Sequence, residues 1–236
     1  MTNAAPVITA FTTTTALAST GTLVTATVSF TDAGTADTHT AVITWGDGTT
    51  STVNAGSALQ ASATHAYTSA GFYTVGVTVS DDEGASATTN SSILVVYDAS
   101  AGFITGGGWI AGASGTTNDK THFNIDVRYS AGAPTGQFRI HGSSALLDLT
   151  GSAFEYLVVK VSTASFRGTG VLSDGTPVGF FVSAQDGKAA GTRIDRIRLK
   201  VWKSADGQVL FDTEPGVSEI APPATLVNGG NVTLHK

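Results

Sequence analysis

The chain has 236 residues, enough for one large or two modest domains with real cores, and 41% of them are hydrophobic against only 13% charged. That composition excludes a disordered chain, and the 28 glycines follow no period of three, which excludes collagen. Residues 1–97 hold six acids and no Lys or Arg, a net charge of −6, while all 12 basic residues fall after them; a stretch without cations cannot neutralise phosphates, so nucleic-acid binding there is excluded.

Cysteine is absent, so disulfides, thiolate metal sites and a cysteine nucleophile are ruled out. No apolar run approaches the roughly 18–20 residues a membrane helix needs, and no membrane span is expected. The opening residues lack the basic and apolar regions of a signal peptide. Met1, the single methionine, reads as an added start on a piece of a longer chain. With so few charges, Thr, Ser, Gly and Ala must cover much of the surface.

Taken in chain order, the first half has period two. Leu23–Phe30, Ala41–Trp45, Phe72–Ser80 and Ile93–Val96 are short β-branched runs, separated by Gly/Asp turns. Such spacing predicts an antiparallel sandwich. Gly46-Asp47-Gly48 offers two residues able to take positive φ, with an Asp between them that can close an Asx-turn. Trp45 would anchor the core, and Tyr67 sits where a ring can be buried while its hydroxyl reaches backbone. His39 and His65 do not make a metal site by their spacing.

Trp45-Gly46-Asp47-Gly48, His65-Ala66-Tyr67, Gly71-Phe72-Tyr73-Thr74-Val75 and Val77-Thr78-Val79-Ser80-Asp81 occur in order. Together they resemble the PKD domain family over residues 5–97, with Trp45 directly before Gly46 where the usual form spaces them. The resemblance implies a seven-stranded immunoglobulin-like β-sandwich serving as a spacer or adhesion module in extracellular proteins. Some members of that family bind calcium, and Asp32 and Asp37 lie where the ligands would come from. Calcium takes six to eight oxygens, and two carboxylates in one tight loop begin such a set. The competing reading, a solvated acidic loop serving its own turn, is the one the residues favour. Asp81-Asp82-Glu83 reads as an ordinary charged hairpin tip.

Residues 98–236 contain eight or more strand-like runs, with Asp174-Gly175, Asp186-Gly187 and Asp206-Gly207 as hairpin signals. A second antiparallel β-sandwich or open barrel is expected, so the whole chain is all-β. Gly106-Gly107-Gly108 lies within a strand and predicts a bulge or a close backbone approach. One short helix or turn is expected at most, near Ala145–Phe154. The order of Gly-rich strands resembles a C-terminal Gly-rich β-module of bacterial secreted or surface proteins, which supports an extracellular or cell-surface location without giving an activity.

On the run Arg193–Trp202, Arg196, Arg198, Lys200 and Trp202 share one face, opposite Ile197, Leu199 and Val201. A cationic ladder ending in tryptophan could hold an acidic or neutral sugar. A solvated face paired to acids such as Asp126 or Glu155 is the plainer reading. His122, Asn124 and Asp126 likewise read as an exposed polar face. No Gly-x-Ser-x-Gly elbow and no His-Glu-x-x-His motif occurs.

The sequence therefore points to a non-enzymatic structural or adhesive module that spaces or anchors neighbouring domains of a longer parent protein. The alternative is a carbohydrate-binding accessory module of an extracellular hydrolase, with a polysaccharide or another surface protein as partner.

Overall fold

The structure is a computed structural model, and it describes residues 3–111, 119–142 and 147–236. The described residues are all-β, with no helix among them, and form two compact units, Met1–Tyr97 and Asp98–Lys236.

The first unit is an immunoglobulin-like sandwich of two sheets. One sheet joins β1 (Val7–Thr13), β3 (Leu23–Thr31) and β6 (Gln60–Ala66), with β3 in the middle. The other runs in the order β2 (Leu17–Ser19), β8 (Ser86–Tyr97), β7 (Gly71–Asp81), β4 (His39–Thr44), β5 (Thr50–Gly56). The eighth strand, one more than the resemblance implied, arises from a break at residues 14–16. There the chain leaves β3 and crosses to the other sheet, where β2 pairs parallel with the end of β8. Alternation then sorts the side chains. Val24, Ala26, Val28 and Phe30 of β3 face Ala41, Ile43, Val77 and Val79 across a closed core. Outward, Asn54, Thr40, Ser80 and Ser86 lie in register across four strands, and so do Thr52, Val42, Thr78 and Thr88. Ser and Thr thus cover this face in place of charges.

Trp45 is fully buried, and Tyr67 is 1% exposed with its hydroxyl donating to the Trp45 carbonyl at 2.8 Å. Gly46 and Gly48 both have positive φ (79° and 92°), and Asp47 Oδ1 accepts from the Thr49 amide at 3.0 Å. His65 stacks on Trp45 with centroids 5.0 Å apart, and its Nε2 meets Asp47 Oδ2 at 2.7 Å. The turn, the tryptophan and the tyrosine corner therefore form one connected set.

Among its described residues, the second unit is a single antiparallel sheet of nine strands. Its spine, in spatial order, is β16 (Val209–Asp212), β15 (Arg196–Lys203), β14 (Pro177–Gln185), β13 (Thr163–Leu172), β12 (Asp148–Val159), β11 (Ala133–Gly142), β10 (Lys120–Ser130), β9 (Phe103–Ala111) and β17 (Gly229–His235). β12 corrects the expected helix or turn near 145–154. From Asp148 onward the chain is extended, with Leu149, Leu157 and Val159 directed into the core; Ala145 lies outside the described residues. Phe138, Phe166 and Phe180 meet at tilted and edge-to-face angles at the centre of that core.

The sheet curls until its far strands approach each other. Leu226 bridges to Arg196, and the Val227 amide donates to the Asp195 carbonyl at 3.0 Å. The outer amides of β17 are met by side chains: Val232 donates to Asp195 Oδ2 at 2.7 Å and Leu234 to Asp186 Oδ2 at 3.1 Å. An otherwise open edge is thereby satisfied without another strand. β9 keeps an unbroken register with both neighbours, so its three glycines form no bulge. Two of them serve close approach instead: a Cβ on Gly108 would collide with the Gly229 carbonyl, and one on Gly106 with that of Asn231.

Candidate functional site

Two places gather polar chemistry, one in each unit. In the first, Asp32 directly follows β3, and register sets Asp81 opposite His39. Asp32, Asp37 and Asp81 each offer one oxygen, all within 4.8 Å of one another. Asp32 Oδ1 accepts from the Gly34 amide at 2.8 Å and Oδ2 meets His39 Nε2 at 3.0 Å, with both side chains 1% exposed. The Gly34 bond first, then the His39 contact, hold the Asp32 carboxyl below its usual range. Asp81 accepts from the Glu83 and Ala85 amides and from Asn3.

Asp37 differs. Burial first, then the carboxylates of Asp32, Asp82 and Asp81, push its carboxyl up. A Cβ at Gly34 would overlap the Asp37 carboxylate, so glycine there makes the room it occupies. Crowded hard oxygens of this kind fit a divalent cation such as calcium, with waters and carbonyls completing the shell. The sequence reading named Asp32 and Asp37 and assigned Asp81 to a hairpin tip. The structure draws Asp81 in, 7% exposed, through the pairing of β4 with β7.

In the second unit, Arg196, Arg198, Lys200 and Trp202 do share the outer face of β15, but they do not act alike. Arg198 is 1% exposed. Its guanidinium meets Asp212 Oδ2 at 3.1 Å and donates to the carbonyls of Val217 and Ser218, each at 2.8 Å. It is a structural tie that pins the segment after β16 onto the sheet, which removes it from any solvated ladder. Arg196 is committed to the Ala224 carbonyl at 2.7 Å. Glu214, almost buried, fixes the same segment by accepting from the amides of Ala224 and Thr225. Lys200 and Trp202 remain partly open. Lys200 Nζ donates to Glu219 Oε1 at 2.8 Å, and the Arg167 guanidinium lies 4.8 Å from the Trp202 ring centroid. Arg167 and Glu219 were not singled out from the sequence: Arg167 arrives from β13 and Glu219 from the long segment, and no local pattern marks either. His122 and Asn124 are exposed, opposite buried Phe123, Ile125 and Val127, as expected of a polar sheet face.

With this geometry in place, the first unit is found to resemble a known family. Residues 3–96 match the family model described as PKD domain. That PKD match spans the sandwich that carries Trp45, Tyr67 and the Asp32 cluster. No curated protein matches the chain. One solved structure, described as “Structural basis for the promiscuous specificity of the carbohydrate-binding modules from the beta-sandwich super family”, is 16% identical. The match covers 98% of this chain and 96% of that one with a TM-score of 0.37, a likeness too weak to carry an argument about fold or ligand.

Proposed function

We propose that the chain is a non-catalytic structural and anchoring module of a secreted bacterial surface protein, spacing neighbouring domains of a longer parent. The observation that carries this reading is the PKD match over residues 3–96. The site geometry agrees with it. The histidines and carboxylates of the first unit are spent on turns and corners, with His65 on Asp47 and His39 on Asp32. The resemblance of the second unit to a Gly-rich C-terminal module supports the same cell-surface setting. In this reading calcium binds at Asp32, Asp37 and Asp81 and stiffens that end of the sandwich.

Thermal melts with calcium and with chelator test the proposal. A ligand that binds only the folded state must raise the melting temperature once its concentration is well above its dissociation constant. A reversible rise, lost in Asp37→Asn, is expected of the first unit's transition; an unchanged melt removes calcium from the reading. Turnover of any glycan or ester by the purified chain would overturn the non-catalytic assignment itself. A binding role is a separate matter and rests on the second unit's β15 edge.

A further inference from the structure

Trp202 lies flat on its sheet. Its cross-strand partner is Gly179 of β14, and a Cβ at that glycine would run into the indole. Gly179 leaves the room in which the ring lies over its strand, and the Arg167 guanidinium packs against the ring 4.8 Å from its centroid. It borders a shallow cavity of about 230 Å³ lined by Arg167, Lys200, Trp202, Gly207, Val209 and Glu219. A second cavity, of about 520 Å³, runs on along β16 to Asp212 and Val217, and the two share Lys200 and Val209. The result is one groove along the β15–β16 edge with an aromatic platform at one end.

Its polar groups are mixed and balanced. Glu219 meets Lys200 at 2.8 Å and Arg167 Nη1 at 3.7 Å, and Glu155 lies 3.3 Å from Arg167 Nε. That last separation is short enough for an ion pair, yet Arg167 Nε, although buried, makes no hydrogen bond. Two cations and two carboxylates leave no net charge for an anionic ligand to seek, and a nucleic acid would need an excess of cations. A ligand rich in hydroxyls uses donors and acceptors together, because each hydroxyl both gives and accepts. The apolar C–H face of a sugar ring complements a flat indole, as large amphipathic aromatics favour surfaces with one apolar side and one wet rim.

We infer that the β15–β16 edge of the second unit binds a neutral saccharide, with one pyranose ring on Trp202 and adjoining units along the groove past Lys200. Glu219 accepts from ring hydroxyls, and Lys200 and Arg167 donate to them. The site goes beyond the spacing role and leans on that reading only in being a binding site without turnover. The calcium melt and the saccharide titration therefore fail independently.

The test titrates the intact chain with neutral hexasaccharides of β-1,4-glucose, β-1,3-glucose, β-1,4-mannose and β-1,4-xylose, and with an oligogalacturonate as the charged control. The indole N–H resonances of Trp45, Trp109 and Trp202 are followed by NMR and affinity is followed by calorimetry. At least one neutral hexasaccharide should shift the Trp202 resonance and leave Trp45 in place. Glu219→Gln should weaken binding about tenfold, the loss expected for one hydrogen bond to a charged group, with the melting temperature kept. Trp202→Ala should abolish binding while Trp109→Ala retains it. Should Trp202→Ala fail to fold, Trp202→Phe keeps a platform and should bind detectably but more weakly. Absence of binding by every neutral hexasaccharide at millimolar concentration overturns the inference. So does a shift confined to Trp109, or binding of the galacturonate alone.

Discussion

Arg198 shows how a single side chain can look like a ligand group and be a fastening. Its charge is out of water, and it is compensated by Asp212 and by two carbonyls of the segment that covers it. Removing one partner of such a pair strands the other, at a cost of about 3–5 kcal/mol. Arg198→Met should therefore lower the second unit's melting transition strongly. Adding Asp212→Leu should recover part of the loss, since the stranded carboxylate goes with it. An Arg198→Met variant that melts like the parent would refute the assignment. The contrast with Trp45, Tyr67 and His65 explains what was readable. Those three interact within a stretch of 23 residues whose turn chemistry is written in Gly46-Asp47-Gly48, so their roles follow from local rules. Arg198 acts on carbonyls 19 and 20 positions away, in a segment with no regular pattern. Its alternation on the strand predicted the right face, and only tertiary packing says that this face is covered.

At the scale of elements, periodicity was a good guide to strands and a poor one to edges. The expectation of an all-β chain holds, and the one helix allowed near 145–154 gives way to β12. Bulge and close approach could not be separated for Gly106–Gly108 from sequence, because the deciding partner is β17, more than a hundred residues later. The acidic cluster has the same character: Asp32 and Asp37 are neighbours in a loop, whereas Asp81 joins through register. The sealed edge of β17 gives a pH prediction. Burial pushes the Asp186 carboxyl up, but amide donors including Ala189 and Leu234 outweigh it and hold the carboxyl below its usual range. A folded-state value below the unfolded one stabilises the fold above the unfolded value, near pH 4, and the gain is lost as pH falls through that range toward the folded one. Urea midpoints of the second unit should be level between pH 7 and 5 and should drop below about pH 4. Asp186→Asn should show a shallower acid drop than the parent; equal slopes would remove Asp186 from the latch.

For the whole molecule, the pairing of Phe103 with His235 has a mechanical consequence. In the second unit, first and last strands are antiparallel neighbours, so both chain ends leave from one spot. A pull applied between them opens the β9–β17 ladder from its end, one bond at a time, like a zip. The first unit is strung differently. β2 runs parallel to the end of β8, with Leu17 beside Val95, so tension along the chain must slide a row of bonds past one another together. Stretched singly by an optical trap, residues 3–97 should rupture at clearly higher force than residues 98–236; equal forces would contradict this picture. The second unit therefore peels under end-to-end tension, while the carboxylates of Asp195 and Asp186 seal the flank of β17.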